Sequence, residues 1–413
     1  MPVGIVIVGA GQAGLQIAEA LRAEQYDGAI TLVGGEPHPP YQRPPLSKGV
    51  LLGKMDPARL TLRSPEAIAR KDIAFMPGVA VTAIDRGRQT VQLADGQVLP
   101  YAGLAFATGG RARSLPIPGR DLAGVLALRG IEDAVAIGGA LAGAETVVVV
   151  GGGFIGLEVA AVARTLGKHV TVLEAAPRLM ARAVSPLLSE VFAELHKGRG
   201  VDIELGAMVS EILGEGGRAR AVRLADGRTF AADLVLLSAG LVPNTELAVA
   251  AGLDGAHGII VDQCARTNDA RIVAAGDCAA QRLPDGTLLR LESVQCAVEQ
   301  GKAAAASLVG RERPFTASPW FWSDQYDIKL QMAGQSGGHD HVELRGDRAD
   351  FRFSAFYFRG ENLIGVDSLN RAQDHMIARR LLDRGRSPTF MQVRDDAFPL
   401  QSLVSQPAVS EVS

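Results

Sequence analysis

The chain has 413 residues, of which 47% are hydrophobic and 21% are charged, and its formal net charge is −3. This composition predicts a folded globular protein of two or three domains and excludes a disordered chain. The charge provides no overall basic field for nucleic acid, and no apolar run reaches the roughly 20 residues that cross a bilayer. We therefore expect neither a nucleic-acid partner nor a membrane partner.

The chain begins with an apolar stretch at 4–8 that lacks the basic flank of a secretory signal, so we interpret it as a strand. It runs into the sequence GAGQAG at 9–14, and a second apolar strand is predicted at 29–33. Glycines in such a turn let the backbone approach a pyrophosphate, whose charge lies at the N-terminus of the next helix. Glu36 follows where a carboxylate binds a ribose 2′-hydroxyl, so this region predicts a dinucleotide-binding unit.

The same pattern occurs a second time in the middle of the chain. An apolar strand is predicted at 146–150, and it is followed by GGGFIG at 151–156, a further strand at 170–173 and then Glu174. A single GxGxxG turn can serve packing alone, but two complete strand, turn, helix, strand and acid units predict two bound dinucleotides.

Strands on either side of the second unit indicate how the domains are arranged. Apolar strands are predicted in 101–110, which ends in a small-residue turn, and in 232–240, which ends in glycine. A third strand in 271–277 ends at a Gly–Asp step, and it is explained most simply if the second unit is inserted in the first. Aromatic residues at 350–358 predict antiparallel strands, and a helix is predicted at 372–383.

We therefore predict an α/β fold with two Rossmann-like dinucleotide-binding domains, one inserted in the other, and a C-terminal α+β domain with an antiparallel sheet. The expected boundaries are 1–112 and 245–316 for the first domain, 113–244 for the inserted domain, 317–400 for the C-terminal domain and 401–413 for a flexible tail.

The cysteines and histidines do not suggest a disulfide scaffold or a metal centre. Cys264, Cys278 and Cys296 form no CxxC pair, so we interpret them as buried thiols of a cytoplasmic protein. His339 and His341 have no further group of ligands beside them, so we predict a polar turn there and no metal site.

Six motifs together resemble a known family. They are PYQRPPLSK at 40–48, ATG at 107–109, GGGFIGLE at 151–158, GD at 276–277, LESVQ at 291–295 and PWFWSDQ at 319–325. In this order and spacing they resemble the NADH-dependent, FAD-containing ferredoxin reductases of bacterial oxygenase systems, which are glutathione-reductase-like flavoproteins. The resemblance implies that the first domain binds FAD, that the inserted domain binds NADH, and that the C-terminal domain helps to present the flavin to an iron–sulfur protein.

The resemblance also implies roles for individual residues. The implied FAD contacts are Gly9, Gly11, Ala13, Gly14, Glu36, Arg43, Lys48, Val81, Thr108, Gly109, Arg129, Asp277, Val294 and Trp320. The implied NAD contacts are Gly151, Gly153, Ile155, Gly156, Glu174 and Gly240. Asp277 can equally be a helix N-cap, and core packing is the alternative for Trp320 or Trp322.

Lys48 and Glu158 are the expected catalytic residues. The resemblance places both near the flavin, so we expect them to pair, to orient the nicotinamide and to supply positive charge near the reduced ring. The alternative is an ion pair that stabilises the fold and has no kinetic role.

Glu174 favours NADH over NADPH, because its carboxylate would repel a 2′-phosphate by about 4 kcal/mol per unit charge at 4 Å and an effective dielectric of 20. Arg178 and Arg182 weaken this expectation, since either could bind that phosphate.

Disulfide reductases of this architecture carry a redox cysteine in the segment that corresponds to residues 41–48, and this segment contains no sulfur here. Electrons should therefore leave directly from the flavin.

We predict that the protein is an FAD-dependent NADH:ferredoxin oxidoreductase whose partner is a 2Fe–2S ferredoxin, most simply one that feeds a haem-thiolate monooxygenase. The alternatives are the reductase of a Rieske dioxygenase or rubredoxin system, an NADH oxidase, and a redox-signalling flavoprotein similar to apoptosis-inducing factor. Basic residues near the flavin would steer an acidic ferredoxin, or would be ordinary surface charges. The candidates are Arg290, Lys329, Arg371, Arg379 and Arg380.

Overall fold

A computed structural model describes residues 3–255 and 257–405. The chain forms two compact units, each built from segments that are separated in sequence. The first unit comprises Met1–Pro45, Met55–Arg113 and Leu241–Thr316. The second unit comprises Leu46–Lys54, Ser114–Gly240 and Ala317–Ser413. The finer division into three domains stays a prediction.

The first unit contains a seven-stranded sheet with the strand Gly4–Val8 near its centre. All five residues of that strand are buried, as its continuous apolar sequence predicts for a parallel strand covered on both faces. The sheet order is Ile73–Met76, Ile30–Val33, Gly4–Val8, Val98–Phe106, Thr90–Leu93 and Val81–Asp85, with Ile272–Ala274 also paired to Val98–Phe106.

The pairing of Ile272–Ala274 with Leu104–Phe106 is parallel, so the chain returns to the first sheet after leaving it for more than a hundred residues. The α-helices of this unit are Gln12–Ala23, Pro65–Ala69, Glu246–Ala250 and Val294–Leu308. Pro57–Leu60 is a 3₁₀ turn, and a second 3₁₀ turn, Pro44–Ser47, starts in this unit. Two small sheets complete the unit: Gly110–Ala112 with Leu241–Pro243, and Ile259–Val261 with Ala279–Arg282 and Leu288–Leu289.

The second unit contains a five-stranded parallel sheet around the strand Thr146–Val150. Its order is Val201–Leu205, His169–Glu174, Thr146–Val150, Leu234–Leu237 and Val125–Leu126. A three-stranded antiparallel sheet is formed by Val209–Glu215, Arg218–Leu224 and Thr229–Ala231. The helices of this part are Ile131–Gly143, Phe154–Thr165 and Pro186–Gly198.

The C-terminal part of the second unit is a five-stranded antiparallel sheet. Its order is Trp320–Gln325, Ile328–Gly334, Asn362–Leu369, Arg352–Arg359 and His341–Asp347. The helices Ala372–Asp383, Phe390–Arg394 and Gln401–Ser405 follow it. Residues 406–413 of the predicted tail lie outside the described residues.

The α/β class, the parallel sheets behind both glycine-rich turns and the C-terminal antiparallel sheet are confirmed. None of the helices among the described residues combines the length and apolarity that crossing a bilayer requires.

Candidate active site and dinucleotide sites

The turn at 9–14 has the backbone geometry that a dinucleotide cradle requires. Gly9 has φ of +110°, and a Cβ added to it would lie 2.1 Å from the carbonyl oxygen of Ala107. A Cβ added to Gly14 would lie 1.9 Å from the carbonyl oxygen of Gly9, so strand and helix pack too closely there for any side chain. A Cβ added to Gly11 would meet no atom within 4 Å, so open space faces the helix N-terminus. These residues fit a bound pyrophosphate.

Glu36 lies beyond the second strand of this unit, where two side chains from the following loop contact it. The hydroxyl of Tyr41 donates to Glu36 Oε2 at 2.6 Å, and the guanidinium of Arg43 pairs with Glu36 Oε1. Arg43 also donates to the Tyr41 hydroxyl at 2.9 Å and covers the Tyr41 ring. The acid therefore has a fixed orientation that depends on side chains of the loop.

The other predicted FAD residues of the first unit lie at strand and helix ends. Thr108 donates through Oγ1 to the carbonyl of Asn244 at 2.6 Å, and the Asn244 amide donates back to the Thr108 carbonyl at 2.9 Å. Gly109 has a positive φ of 60°, and its carbonyl accepts from the backbone N–H of Asn244. Ala13 is buried in the helix that follows the turn, and Val81 is the first residue of the strand Val81–Asp85.

Asp277 and Val294 are placed by the last two elements of the same unit. Asp277 follows the strand Ile272–Ala274, and its carbonyl accepts from Arg290 at 3.2 Å. Val294 is the first residue of the helix Val294–Leu308, whose N-cap is Ser293. Its backbone N–H is therefore one of the four at a helix N-terminus that have no partner within the helix. Asp277 is not the cap of this helix.

The turn at 151–156 in the second unit reproduces the first turn. Gly151 also has φ of +110°, and a Cβ added to Gly156 would lie 2.2 Å from the carbonyl oxygen of Gly151. A Cβ added to Gly153 would meet no atom within 4 Å. The side chain of Ile155 is 42% exposed at the start of the helix Phe154–Thr165. These residues fit a second dinucleotide.

Glu174 is the last residue of the strand His169–Glu174, and its carboxylate accepts hydrogen bonds from two backbone N–H groups. Its Oε2 accepts from the N–H of Gly152 at 2.6 Å, and its Oε1 accepts from the N–H of Ala176 at 2.7 Å. Glu174 therefore lies directly beside the glycine-rich turn.

The two arginines that complicate cofactor choice have different surroundings. Arg178 donates to the carbonyls of Val184 and Ala181 and to the hydroxyl of Ser189, so its guanidinium is fixed by its own loop and by the helix Pro186–Gly198. Arg182 reaches the turn at Gly240, because a Cβ added there would lie 3.1 Å from its guanidinium nitrogen. Gly240 has φ of +97°.

Lys48 and Glu158 form an ion pair within the second unit, with 2.8 Å between Lys48 Nζ and Glu158 Oε2. Glu158 is 4% exposed and lies on the buried face of the helix Phe154–Thr165. The hydroxyls of Ser47 and Ser323 also donate to its carboxylate, the latter at 2.6 Å to Oε1. Three donors converge on one acceptor-only group, so its orientation is closely defined.

A cavity of about 410 Å³ in the second unit reaches this ion pair. Lys48 and Glu158 lie on its wall, together with Lys54, Arg199, Tyr326 and Asp327. The pair is therefore largely buried but is accessible to a small molecule or to water.

Trp320 is half-buried and belongs to an aromatic cluster on the C-terminal sheet. Its ring stacks against Trp322 with 5.5 Å between centroids, and the guanidinium of Arg379 covers it at 4.6 Å. His375 lies edge-on to the same ring. Arg129, also predicted to contact FAD, precedes the helix Ile131–Gly143, and its backbone N–H donates to Asp133.

The basic candidates for partner binding have three kinds of surroundings. Arg371 pairs with Asp374 and Asp396, and Arg290 pairs with Glu292, so both take part in local ion pairs. Lys329 and Arg380 have exposed side chains. Arg379 is half-buried against Trp320.

Sequence reasoning missed Ser47, Ser323 and Asn244. Ser47 and Ser323 lie inside the motifs at 40–48 and 319–325, but a serine carries no signal of its own there. Asn244 follows the short strand Leu241–Pro243, and its hydrogen bonds with Thr108 join residues that are 136 positions apart in sequence.

The cysteines have the surroundings of structural thiols. Cys264, Cys278 and Cys296 are buried and unpaired. Burial raises the pKa of Cys296 to about 12, with Asp277 adding to the effect, and burial also raises the pKa of Cys278. Among residues 3–255 and 257–405, no group of three or more His, Cys, Asp or Glu side chains could hold a metal ion.

Comparison with known proteins agrees with this geometry. Residues 3–301 match the family described as pyridine nucleotide-disulphide oxidoreductase, and residues 320–404 match the family described as reductase C-terminal. Rhodocoxin reductase from Rhodococcus erythropolis is 44% identical over 403 residues, which cover 97% of this chain and 94% of that protein.

Two solved structures are similar along nearly their whole length. The ferredoxin reductase for the CYP199A2 system from Rhodopseudomonas palustris is 43% identical with a TM-score of 0.95, over 97% of this chain and 100% of that chain. A chain of the covalent putidaredoxin reductase–putidaredoxin complex is 40% identical with a TM-score of 0.93, over 97% and 98%. The chain belongs to the pyridine nucleotide-disulphide oxidoreductase family, and within it to the ferredoxin reductases that use FAD and NADH.

Proposed function

We propose that this reductase prefers NADH to NADPH and serves a 2Fe–2S ferredoxin of a haem-thiolate monooxygenase system. The observation that carries the proposal is full-length similarity to the ferredoxin reductase for the CYP199A2 system, a name of the cytochrome P450 type. The similarity to a reductase held in a complex with putidaredoxin supports a small protein as the electron acceptor. FAD, when bound, converts a two-electron hydride donor into two single-electron deliveries.

The preference for NADH follows from Glu174 and from the loop beside it. A 2′-phosphate near this carboxylate would be repelled by about 4 kcal/mol per unit charge at 4 Å and an effective dielectric of 20. Arg178 is held by two loop carbonyls and a serine, so turning it toward a phosphate would break three hydrogen bonds. Arg182 is the remaining residue that could favour NADPH.

Lys48 and Glu158 are the proposed catalytic residues. The ammonium group of Lys48 would offset negative charge that develops beside it, and Glu158 would fix the ammonium and accept from the nicotinamide carboxamide. Both side chains are largely removed from water, with side-chain exposures of 18% and 5%, so their electrostatic effect is stronger than that of a surface pair.

The residues that fit the dinucleotides follow the two turns. FAD would lie against Gly11 and the Glu36 loop in the first unit, together with the other predicted FAD contacts. NADH would lie against Gly153 and Glu174 in the second unit.

Three reduced thiols and a ferredoxin partner favour the cytoplasm as the location. The exposed Lys329 and Arg380 are the basic residues best suited to steer an acidic ferredoxin.

The proposal is tested by mixing the flavin-loaded protein with NADH or NADPH, cytochrome c and a panel of carriers. We expect kcat/KM for NADH to exceed that for NADPH by about a hundredfold or more, given the repulsion at Glu174. We also expect a 2Fe–2S ferredoxin from a haem-thiolate monooxygenase system to raise cytochrome c reduction more than a Rieske-system ferredoxin or a rubredoxin.

Three results would contradict the proposal. Faster turnover with a rubredoxin or a Rieske-system ferredoxin would assign another partner. Oxygen consumption without a carrier, at the rate seen with ferredoxin, would make the protein an NADH oxidase. Slow reoxidation with every carrier and dimerisation on NADH addition would instead favour a redox-signalling flavoprotein.

A further inference from the structure

The strand Trp320–Gln325 presents two different faces within the second unit. Because strand side chains alternate, Trp320 and Trp322 lie on one face, and Phe321, Ser323 and Gln325 lie on the other. Phe321 contacts Phe154, with 4.7 Å between ring centroids, and Ser323 bonds Glu158. Phe154 and Glu158 are four residues apart on the helix, a rise of about 6 Å, and Phe321 and Ser323 are two residues apart on the strand, a rise of about 6.6 Å. Both contacts therefore fit one alignment of the helix against the strand.

The hydrogen bonds on this second face continue past Ser323. Gln325 Nε2 lies 3.3 Å from Ser323 Oγ, and Gln325 Oε1 lies 2.7 Å from His196 Nε2. The other ring nitrogen, His196 Nδ1, lies 3.4 Å from the hydroxyl of Tyr326. Ser323, Gln325 and His196 are all 0% exposed. A continuous row of polar groups therefore links the helix Pro186–Gly198 to the Glu158 carboxylate.

The direction of each hydrogen bond in this row follows from the Glu158 carboxylate at its end. A carboxylate only accepts, so the Ser323 hydroxyl must donate to Glu158 and its oxygen is left to accept from the amide of Gln325. The Gln325 carbonyl then accepts from His196 Nε2–H. His196 Nδ1 consequently carries a lone pair, which faces the Tyr326 hydroxyl. Every bond points toward Glu158, and aligned hydrogen bonds polarise one another.

We propose that Ser323, Gln325 and His196 are positioning residues that hold the Glu158 carboxylate through this directional chain of hydrogen bonds. The inference rests on the proposed function of the Lys48–Glu158 pair in hydride transfer. Glutamine in the middle has no proton to pass on without changing tautomer, so the chain orients Glu158 and does not conduct protons.

The far end of the chain is held by the hairpin loop between Trp320–Gln325 and Ile328–Gly334. Tyr326 in this loop has φ of 56°, a conformation that L-residues rarely adopt. Its ring packs 5.2 Å from the His196 ring and lies under the guanidinium of Arg199 at 5.2 Å. Arg199 in turn pairs with Asp327. Burial lowers the pKa of His196, which favours the neutral ring that the chain requires.

The first test is the tautomer of His196, measured by ¹⁵N NMR on the oxidised, flavin-loaded protein, with the resonance assigned by its loss in His196→Phe. We expect a protonated Nε2 and an unprotonated Nδ1. We expect the Nε2 shift to move in Ser323→Ala and to stay unchanged in Ser354→Ala. Ser354 is a matched control, because it is equally buried and donates to the buried carboxylate of Asp374 at 3.0 Å.

The second test is stopped-flow reduction by saturating NADH. We expect the hydride-transfer rate to fall about tenfold in Ser323→Ala and severalfold in Gln325→Leu and His196→Phe, with the dissociation constant for NADH changed less than twofold. Ser354→Ala should lose as much thermal stability as Ser323→Ala and keep the wild-type rate.

The outcomes separate the two claims. A protonated Nδ1 in His196, or rates in Ser323→Ala equal to those in Ser354→Ala, would overturn the chain as a positioning device while leaving the Lys48–Glu158 role intact. Wild-type rates in both Lys48→Ala and Glu158→Gln would overturn the catalytic role of the pair and, with it, the proposed function of the chain.

Discussion

The glycine-rich turns at 9–14 and 151–156 have the same backbone geometry but hold their acidic residues differently. Gly9 and Gly151 share φ of +110°, and both turns leave open space at the third position. Glu36 contacts the side chains of Tyr41 and Arg43, whereas Glu174 accepts from backbone N–H groups of its own turn and of the loop after its strand.

This difference matches the residence times that the two dinucleotides need. Side chains of a loop can enclose a cofactor that stays bound, because they order around it once. A nucleotide that binds and leaves at every turnover benefits from a site that keeps its shape when empty, and backbone groups lose less conformational freedom than long side chains do. We infer that the first turn serves retention and the second serves exchange.

The largest expected effect comes from filling the tight contact in either turn. Gly14→Ala would place a Cβ 1.9 Å from a backbone oxygen and Gly156→Ala would place one 2.2 Å from its counterpart, so strand and helix must separate in both. We expect Gly14→Ala to be purified without flavin or as aggregates. Gly156→Ala should keep its flavin, measured by visible absorbance, and lose rapid reduction by NADH. Loss of flavin in Gly156→Ala alone would reverse the assignment of the two turns.

Sequence reasoning recovers these turns because steric rules act locally. The strands Gly4–Val8 and Thr146–Val150 and the helix Ala372–Asp383 were all predicted at their observed bounds, since continuous apolar runs and helical periodicity leave little choice there. The ion pair of Lys48 with Glu158 was expected only from the family resemblance, because 110 residues separate the two in sequence.

The supports of Glu158 could not be predicted. Ser323 and His196 come from elements that meet only in the folded unit, and a lone serine or histidine in a sequence is compatible with many roles. The contacts of Glu36 with Tyr41 and Arg43 could not be predicted either, although both residues lie close to it in sequence. Their orientation depends on a loop that has no regular periodicity. The residue roles at both dinucleotide sites stay predictions.

The second largest effect should come from exchanging the charge of one acid at a time. Glu174→Gln removes the repulsion of a 2′-phosphate, so we expect the preference for NADH over NADPH to fall by roughly ten- to a hundredfold, measured as the ratio of kcat/KM values. Glu36→Gln should leave this ratio unchanged and should release FAD faster on gel filtration. An altered ratio in Glu36→Gln would show that the two acids do not serve separate nucleotides.

A smaller effect is expected from an acid that belongs to neither turn. Burial raises the pKa of Asp367 to about 7, while the hydroxyl of Tyr357 opposes the shift. The folded chain therefore keeps a proton on Asp367 between about pH 4 and pH 7 that the unfolded chain has lost, so this group's contribution to stability falls as pH rises through that window.

Asp367→Asn should remove that dependence. From pH 5 to pH 8 we expect the variant to become more stable relative to the wild type, by a few kcal/mol at most, because only the wild type loses stability over this range. The measurement is thermal unfolding, and the affinity for NADH should stay constant. An unchanged difference would mean that Asp367 is ionised in the fold at pH 5.

The smallest effect on stability is expected where each turn is open. Gly11 and Gly153 are helix N-caps in extended conformation, and a Cβ on either would meet no protein atom. Gly11→Ala and Gly153→Ala should therefore unfold within about 2 °C of the wild type when both are compared without cofactor, because no contact or backbone strain changes.

The added methyl group would instead occupy the space where a pyrophosphate approaches. Gly11→Ala should bind FAD more weakly and leave NADH affinity unchanged, and Gly153→Ala should do the reverse, both measured by titration calorimetry. Equal losses for both ligands in one variant would mean that the turns are coupled, and the contrast between a retaining and an exchanging site would then describe one linked site.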